Sequence, residues 1–518
     1  MNIYVVRRAT QGLANHIIKQ GGADKGVAIA YDSRHMSPEF AEEAALTLAA
    51  NGIKAYKFES LRPTPELSFA VRELGCIAGI NITASHNPPE YNGYKVYWED
   101  GAQFTPPHDK GVTEEVLAIE DLSSVKTTDE ASAIAAGKYE VIGKEIDDKY
   151  IAQVKAQVVN QKAIDEMQDQ IRIVYTPLHG TGNIPARRVM KEIGFTHVYV
   201  VPEQELPDGN FPTVSYPNPE AKEAFELGLK LAKEKDADLV LATDPDADRL
   251  GVYVKDAKSG EYIPLTGNMS GSLLCEYVLS QKQAEGKIPA DGQVVKSIVS
   301  TNLIDAVAKA YGAELIEVLT GFKWIGKQIL KNETTGTGTY LFGMEESYGC
   351  LIGTYARDKD AISATAALCE AAAYYKQKGM TLWDAMVAMY EKYGYYKDSV
   401  KSIGLSGIEG LAKIQSIMET LRNNTPAEVG GYKVVSARDY KLDTIRDMET
   451  GAVKPTGLPA SNVLYYDLED GAWICVRPSG TEPKIKFYFG VKGTSLEDAD
   501  QKEADLGAAV MAMVDKMM

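Results

Sequence analysis

GVAIAYDSRHMSPEFAEEAALTLAANGIKAYKF, residues 26–58, is the stretch that decides the fold. Its beginning, GVAIAYD, is an apolar run typical of a buried strand, and its end, IKAYKF, predicts a second strand. The segment between them predicts a helix with Ser37 as its N-cap, acidic residues in its first turn and Gly52 at its end. A helix that joins two strands indicates an α/β fold with mostly parallel strands.

The same alternation continues along the chain. A helix in PTPELSFAVRELG and a strand in CIAGINITA follow, then a loop-rich region, and new units begin at IRIVYTPL and at QVVKSIVS. Further helices are predicted near 145–168, 183–193, 219–236, 360–379 and 381–393. The strand–helix–strand theme therefore occurs three times, which predicts three related α/β domains with mixed sheets.

The last hundred residues have a different pattern. A helix near 407–422 precedes four strands, KVVSA, NVLYYDL, AWICVRP and KIKFYFG, and an amphipathic helix runs from about 496 to 517. Sequential strands between two helices predict a separate α+β domain. The predicted domains are 1–168, 169–275, 276–400 and 401–518.

Composition restricts the class of protein. The 518 residues carry a net charge of −17, from 55 basic and 72 acidic side chains, which argues against general nucleic-acid binding but not against anionic small substrates. The five cysteines form no CxxC pair and indicate core thiols in a reducing compartment. The start has no apolar signal core, and no uncharged run reaches membrane-spanning length. We therefore expect a cytoplasmic protein with neither a membrane nor a nucleic-acid partner.

Ser85 ends an apolar run in NITASHNPPEYNGYKVY and is followed by a turn-dense segment. Taken alone, it is a residue that caps a turn. TASHN is not the GxSxG elbow of a hydrolase, and His86 is poorly placed to act as a base on its own neighbour. Ser85 can instead carry a phosphoryl group itself if the carboxylate cluster and the polar loops described next form a magnesium site and phosphate-binding loops.

Three carboxylates follow a strand in LVLATDPDADRLGV: Asp244, Asp246 and Asp248. Such a cluster repels itself unless a cation or solvent intervenes, and its hard oxygen ligands suit magnesium. A hydrated acidic turn is the alternative. An EF-hand is excluded, because its sixth and twelfth positions would be Arg249 and Lys255. Arg249 suits a phosphate.

Two more loops carry polar side chains of functional type. VRPSGTEPKIKFY contains Arg477, Ser479, Gly480 and Thr481, a set that suits an anion, although an ordinary turn explains it equally well. No Walker A motif is present, so it is not a nucleotide P-loop.

LFGMEESYG places Glu345 and Ser347 at the end of another apolar strand, where a carboxylate and a hydroxyl suit the vicinal hydroxyls of a sugar. A glycosidase carboxylate is the competing interpretation, with weaker support.

These four stretches together resemble the α-D-phosphohexomutase superfamily. TASHNP is similar to its phosphoserine loop, DPDADR to its magnesium loop, EES to its sugar-selecting loop and RPSGTEP to its distal phosphate loop, in the family's order. The resemblance implies four domains around a central cleft, with each loop supplied by a different domain.

The implied activity is phosphoryl transfer through phospho-Ser85. Phospho-Ser85 gives its phosphoryl group to a sugar 1-phosphate, and the resulting bisphosphate turns round and returns the other phosphoryl group. Phospho-Ser85 and the three aspartates would bind Mg²⁺, with glucose 1,6-bisphosphate as the activator. Lys95, in NGYK, is the general acid/base candidate, and His86 is kept as a catalytic candidate.

The resemblance also implies substrate-binding roles. Arg34, in DSRHMS, is a candidate cleft residue, and His179 is a turn residue. The substrate-binding candidates are Arg249, Thr320, Gly321, Glu345, Ser347, Lys359, Arg477, Ser479, Gly480 and Thr481. Of these, Thr320 and Gly321 lie in LTGFKWIG and would orient the sugar, Lys359 would reach a phosphate, and the last four would hold the phosphate that is not reacting.

Gly349 bears on the choice of sugar. Bacterial phosphomannomutase-type members have histidine two residues beyond the EES-like serine, where this chain has Gly349. We therefore expect interconversion of glucose 1-phosphate and glucose 6-phosphate by a monomer or weak dimer. Phosphopentomutase, phosphomannomutase, sugar-bisphosphate synthase and a non-catalytic phosphosugar-binding protein are the alternatives.

The start of the chain departs from the family. Members normally begin with a glycine-rich strand motif resembling GTAGxRG, whereas this chain begins at the following helix, YVVRRATQGLANH. We expect either a truncated start or a protein that does without that strand.

Overall fold

The computed structural model describes residues 1–405, 407–479 and 483–517. It divides into two compact units. The first comprises Met1–Ser297, Tyr311–Ile316 and Gly321–Ala385, and the second comprises Ile298–Ala310, Glu317–Thr320 and the chain from Met386 onwards.

The first unit begins with a five-stranded sheet of order β4-β3-β1-β2-β5. Its strands are β1 (Val27–Tyr31), β2 (Ala55–Phe58), β3 (Ala78–Ile82), β4 (Tyr94–Trp98) and β5 (Tyr139–Ile142). The helices of this part are α1 (Ile3–Lys19), α2 (Ser37–Ala50), α3 (Thr64–Glu73), α4 (His108–Leu117), α5 (Glu130–Ala135) and α6 (Lys144–Lys155). Every residue of β1 and β3 is buried, because helices cover both faces of a parallel sheet. Only β4 runs antiparallel, at the edge beside β3.

The second sheet has the order β10-β9-β8-β6-β7. Its strands are β6 (Arg172–Thr176), β7 (His197–Val200), β8 (Leu239–Thr243), β9 (Leu250–Lys255) and β10 (Tyr262–Leu265). The helices are α7 (Gln161–Met167), α8 (Asn183–Ile193), α9 (Pro202–Glu205) and α10 (Glu226–Lys235). The strand β8 pairs in parallel with β6 and antiparallel with β9, so the sheet is mixed.

The third sheet has the order β12-β11-β13-β14. Its strands are β11 (Gly292–Ser297), β12 (Glu314–Val318), β13 (Thr339–Glu345) and β14 (Gly349–Leu351). The helices in this stretch of chain are α11 (Gly267–Ala284), α12 (Leu303–Ala310), α13 (Lys323–Thr335), α14 (Ala361–Gln377) and α15 (Leu382–Tyr393). The three mixed α/β sheets confirm the predicted fold class for this part of the chain.

The second unit contains an eight-stranded antiparallel sheet of order β15-β22-β21-β20-β17-β18-β19, with β16 paired to β17. Its strands are β15 (Tyr395–Gly404), β16 (Glu428–Val429), β17 (Tyr432–Asp439), β18 (Thr444–Asp447), β19 (Val453–Lys454), β20 (Leu464–Leu468), β21 (Trp473–Pro478) and β22 (Lys484–Gly493). The helices α16 (Gly407–Asn423) and α17 (Leu496–Asp515) share one hydrophobic core with this sheet. The predicted α+β domain at the end of the chain is therefore confirmed.

Several predicted elements differ from those observed. The helix α2 begins at Ser37, and Met36 occupies its N-cap, so the prediction of Ser37 as N-cap is wrong. The Ser37 hydroxyl donates instead to Asp32 at 2.8 Å. The predicted helix 219–236 begins as α10 only at Glu226, after a short 3-10 turn.

The predicted helix 145–168 is two helices, α6 and α7, because Glu370 on α14 binds the backbone of the segment between them. Its Oε1 accepts hydrogen bonds from the backbone N–H groups of Val159 and Asn160, at 3.0 and 2.6 Å, and from the Tyr277 hydroxyl at 2.8 Å. Asn160 then caps α7 by accepting from the N–H of Ala163. A distant carboxylate thus overrides the helical pattern of the segment.

The five cysteines are buried thiols, as expected of core positions. Among the residues described, no helix is both long and apolar enough to span a membrane.

Glu370 also predicts a pH dependence of stability. Burial raises the pKa of Glu370 from 4.5 to about 7, although its three donors oppose that shift. A carboxyl whose pKa is higher in the folded state stabilises the fold fully below its unfolded pKa, and that contribution is lost as pH rises through 7. We expect a loss of about 2 kcal/mol between about pH 5.5 and 8.5.

Glu370→Gln keeps an acceptor oxygen for the three donors and never ionises. Its melting temperature relative to wild type should therefore rise with pH over this interval. Glu234→Gln, on the exposed face of α10, is the matched control and should follow wild type. A difference in melting temperature between Glu370→Gln and wild type that is the same at about pH 5.5 and pH 8.5 would contradict the raised pKa of Glu370.

Candidate active site

Ser85 lies just after β3, in a turn that bends its side chain towards the second sheet. Its backbone adopts a left-handed conformation with φ of 51°, which is uncommon for a residue with a Cβ. Its Oγ donates a hydrogen bond to Asp244 Oδ2 at 2.7 Å, and its backbone N–H donates to the Thr83 hydroxyl at 2.8 Å. The structure therefore joins two of the predicted site residues that are far apart in sequence.

Arg34 fixes the shape of this loop. Its guanidinium is buried and donates to the backbone carbonyl of Ser85 at 2.6 Å, and also to the carbonyl of Asn87. It donates as well to the carbonyls of Pro88 and Tyr91, at 2.8 and 3.1 Å. Arg34 therefore stabilises the backbone of the loop that carries Ser85, a role that sequence analysis did not assign.

His86 is brought back onto Ser85 by the same turn. Its Nδ1 lies 3.2 Å from Ser85 Oγ, so the ring reaches the hydroxyl of its neighbour. Burial, reinforced by Arg249, lowers the pKa of His86 to about 2. The ring is therefore neutral near pH 7 and interacts with the serine as a hydrogen-bonding group, since protonation is disfavoured.

The three aspartates occupy the turn between β8 and β9 and are all buried. One carboxylate oxygen from each lies within 4.8 Å of the others. Asp244 Oδ1 accepts from the backbone N–H groups of Asp248 and Arg249, at 3.1 and 3.0 Å, which closes the loop around the carboxylates. The turn therefore concentrates negative charge beside Ser85.

This donor set fits a divalent cation. Asp246 Oδ1 and Asp248 Oδ1 are buried and have no hydrogen-bond partner among the described residues. Buried carboxylate oxygens without partners are costly, and three oxygen donors at this spacing are the ligands that Mg²⁺ prefers. The residues that would hold the ion are Asp244, Asp246 and Asp248.

Two ammonium groups offset part of this charge. Lys95 Nζ on β4 is 2.8 Å from Asp246 Oδ2 and 3.8 Å from Asp248 Oδ2, and Lys359 Nζ is 3.2 Å from Asp248 Oδ2. Burial opposes ionisation of Lys95, but Asp246 and Asp248 outweigh it and raise its pKa above the usual range. Burial would likewise raise the pKa of Asp246, and Lys95 holds that pKa well below its usual value. By contrast, burial and the neighbouring aspartates raise the pKa of Asp244.

Glu345 ends β13 and faces the same region. Its Oε1 accepts from the backbone N–H of Gly321 at 2.6 Å, which connects two of the predicted sugar-binding loops. The loop after Glu345 contacts the aspartate turn, because the N–H of Leu250 donates to the carbonyl of Tyr348 at 2.9 Å. Ser347 lies half-buried in this loop. The Nη1 atom of Arg249 lies 2.7 Å from Glu220 Oε1.

Lys359 depends on the glycine at 349. A Cβ at Gly349 would lie 1.9 Å from Lys359 Cδ and 2.6 Å from Lys359 Cγ. The Lys359 side chain therefore passes through space that any larger residue at 349 would fill.

We expect Gly349→Ala to displace the Lys359 ammonium. If Lys359 binds a substrate phosphate, as the sequence predicts, KM should rise about 10-fold, the scale of one hydrogen bond to a charged group. Steady-state kinetics would measure this. Gly404→Ala is the matched control, because a Cβ there meets no atom of the described residues within 4 Å. An unchanged KM in Gly349→Ala would show that Lys359 does not hold the substrate.

The remaining candidates belong to the second unit. Arg477 lies in β21, and the backbone N–H of Ser479 donates to the carbonyl of Lys484 at 2.7 Å across the loop that follows. Gly480 and Thr481 fall outside the described residues. Thr320 is also part of this unit. Their assignment to a phosphate or a sugar stays a prediction.

Sequence analysis missed two residues that contact the aspartate turn. Thr64 Oγ1 donates to Asp246 Oδ2 at 2.7 Å, and Asn81 Nδ2 donates to Thr64 Oγ1 at 2.7 Å. Asn81 is a polar residue inside an apolar strand, and this is the signal that could have drawn attention to it. His179 hydrogen-bonds Leu206 O and Thr213 Oγ1, both at 3.0 Å, which is consistent with a turn residue.

Four family models match the chain in order. They are the alpha/beta/alpha domains I, II and III of phosphoglucomutase/phosphomannomutase, at residues 1–123, 148–260 and 266–393, and the C-terminal domain of the same family, at 419–505.

Similar proteins carry names from the same family. A phosphoglucomutase from Staphylococcus saprophyticus is 36% identical over 502 residues, which cover 97% of this chain and 89% of the relative. A "Probable phosphomannomutase" from Haemophilus influenzae is 37% identical over 516 residues, which cover 98% and 97%. The crystal structure of pp63/parafusin, a phosphoglucomutase from Paramecium, shares the fold with a TM-score of 0.71 at 19% identity, covering 99% of this chain and 91% of that one.

Proposed function

The chain belongs to the phosphoglucomutase/phosphomannomutase family, and from that membership we propose that it interconverts glucose 1-phosphate and glucose 6-phosphate through phospho-Ser85. The observation that carries the proposal is the contact between Ser85 Oγ and the cluster of buried aspartates. A phosphoryl acceptor beside cation-binding carboxylates is the arrangement that phosphoryl transfer requires.

In the proposed reaction, the bond between phosphorus and Ser85 Oγ breaks as a bond forms between phosphorus and a sugar hydroxyl oxygen. The hydroxyl loses its proton, and Ser85 Oγ takes one up when glucose 1,6-bisphosphate forms. Transfer of the other phosphoryl group back to Ser85 reverses these steps and leaves glucose 6-phosphate. The intermediate, supplied in trace amounts, would also phosphorylate Ser85 at the start and so act as the activator.

Lys95 is the proposed proton carrier. Asp246 and Asp248 keep it protonated, and in the proposal it gives that proton to the departing Ser85 oxygen and takes up the one that the attacking hydroxyl loses. His86, neutral near pH 7, would orient Ser85. Mg²⁺, when bound to Asp244, Asp246 and Asp248 with the serine phosphate, would offset charge on the transferring group. Arg249 would assist by binding that phosphate.

The other candidates bind substrate in this proposal. Glu345, Ser347 and Gly321, with Thr320, would hold the sugar hydroxyls. Lys359 would bind a phosphate, and Arg477, Ser479, Gly480 and Thr481 would hold the phosphate that is not reacting. Five buried thiols fit a cytoplasmic protein, which we propose to be a monomer or weak dimer.

The test is kcat/KM for glucose 1-phosphate, mannose 1-phosphate and ribose 1-phosphate, with Mg²⁺ and a trace of glucose 1,6-bisphosphate. The proposal requires glucose 1-phosphate to be the best substrate. Mannose 1-phosphate is the second candidate, because the Haemophilus relative is named for that activity. A clear preference for mannose or ribose 1-phosphate would overturn the glucose assignment.

A further inference from the structure

The Asp246 carboxylate is anchored by Thr64 and Lys95. Its Oδ2 accepts from the Thr64 hydroxyl at 2.7 Å and from Lys95 Nζ at 2.8 Å, and its backbone carbonyl accepts from the N–H of Thr64 at 2.9 Å. Asp246 Oδ1, in contrast, has no hydrogen-bond partner in the part of the chain that the structure describes. One oxygen of this carboxylate is therefore anchored while the other is left available.

Asn81 determines the direction of the Thr64 hydroxyl. Its Nδ2 donates to Thr64 Oγ1 at 2.7 Å, and both side chains are fully buried. A hydroxyl has one proton, so an oxygen that accepts from Asn81 can give that proton only to Asp246. The three side chains form a chain of hydrogen bonds that runs from β3 through the start of α3 to the aspartate turn.

The Thr64 hydroxyl has no competing local role. It stands at the first position of α3, after Pro63, and no side chain caps that helix end. A threonine at a helix start ordinarily uses its oxygen on a nearby backbone N–H. Here the oxygen serves Asp246, which is 182 residues away in the sequence.

We propose that Thr64 and Asn81 are positioning residues that orient Asp246, so that its free Oδ1 faces the cation. The inference rests on the proposed function, because it assumes that the aspartates bind a divalent ion. Partners that orient a metal-binding carboxylate typically account for 10- to 100-fold in metal affinity. Neither residue needs to touch the substrate for this effect.

The test measures the dissociation constant for Mn²⁺, as a probe for the magnesium site, by electron paramagnetic resonance of the free ion. Thr64→Val replaces the hydroxyl with a methyl group of similar size, and we expect it to raise the dissociation constant about 10-fold or more. Thr64→Ser keeps the hydroxyl, so its dissociation constant should remain within about 2-fold of the wild-type value, well below the 10- to 100-fold range. Equal affinity in Thr64→Val and wild type would overturn the proposal.

Thr47→Val is the matched control, because Thr47 is a fully buried threonine of α2 whose Oγ1 has no hydrogen-bond partner within the described ranges. It should bind Mn²⁺ as wild type does. Failure of wild type itself to bind Mn²⁺ would overturn the proposed function, and this inference with it, whereas loss confined to Thr64→Val supports both.

Asn81→Ala extends the test. If Asn81 acts through Thr64, the double variant Thr64→Val/Asn81→Ala should bind Mn²⁺ no more weakly than Thr64→Val alone. If the fold-increases in the dissociation constant of the two single variants multiply in the double variant, Asn81 acts independently, which would contradict the chain of hydrogen bonds. Should Thr64→Val fail to fold, Asn81→Ala with unchanged affinity would overturn the proposal, and a raised dissociation constant would support it.

Discussion

Replacement of Ser85 by alanine is expected to lower kcat for phosphosugar interconversion by about 10⁴-fold or more, the scale seen when a covalent nucleophile is removed. Ser85 Oγ is the oxygen that contacts the aspartate cluster, at 2.7 Å from Asp244 Oδ2. Without it, the proposed reaction has no atom to carry the phosphoryl group between the two sugar positions. Binding of the sugar phosphate should change far less, because the proposed substrate contacts lie on other residues.

Steady-state kinetics and intact-protein mass spectrometry would measure this together. Wild type incubated with glucose 1,6-bisphosphate should gain the mass of one phosphoryl group, and Ser85→Ala should gain none. Ser259→Ala, an exposed serine on another loop, is the matched control and should keep both properties. Near wild-type turnover in Ser85→Ala would exclude the phosphoserine mechanism.

Asp248→Asn has the second largest expected effect. Asp248 is buried, its Oδ1 has no hydrogen-bond partner among the described residues, and its Oδ2 lies 3.2 Å from Lys359 Nζ. Asparagine at this position removes one of three charges available to Mg²⁺ and leaves Lys359 with less compensation. We expect kcat to fall at least about 10²-fold, the scale for loss of one preorganised electrostatic contact in an active site.

The Mg²⁺ concentration for half-maximal activity should rise in the same variant, and a chelator should abolish activity in wild type. Asp24→Asn, at an exposed position, is the control and should leave both quantities unchanged. Full activity of the wild-type protein in excess chelator would refute the assignment of the three aspartates to a metal.

The strands β1 and β3 could be predicted from the sequence because they are apolar and fully buried, and β2 was predicted from IKAYKF. The strand β5 was missed, since its two central residues are exposed. The strand β4 was missed, since Tyr94–Trp98 is a half-buried edge strand directly after a turn-dense loop. The break between α6 and α7 was missed for another reason: Glu370, more than two hundred residues away, supplies the acceptor that ends the helical pattern. Local periodicity contains no information about such a partner.

The candidate site shows the same limit. Ser85 and the three aspartates stand in compact motifs whose residue types indicate their chemistry, and the structure brings them into contact. Thr64 and Asn81 carry no such motif, and their importance comes from tertiary contacts that no spacing reveals. The approach of His86 Nδ1 to Ser85 depends on the positive φ of Ser85, a backbone conformation that a serine rarely adopts.

The most direct test of the phosphoserine mechanism is to follow a radiolabelled phosphoryl group from glucose 1-phosphate. Unlabelled phosphoenzyme is mixed with labelled substrate, and the protein and the sugars are separated after one turnover. The account predicts that the label moves to Ser85 while glucose 6-phosphate receives the enzyme's unlabelled phosphoryl group. Label that stays with the sugar throughout conversion, with none on Ser85, would contradict it.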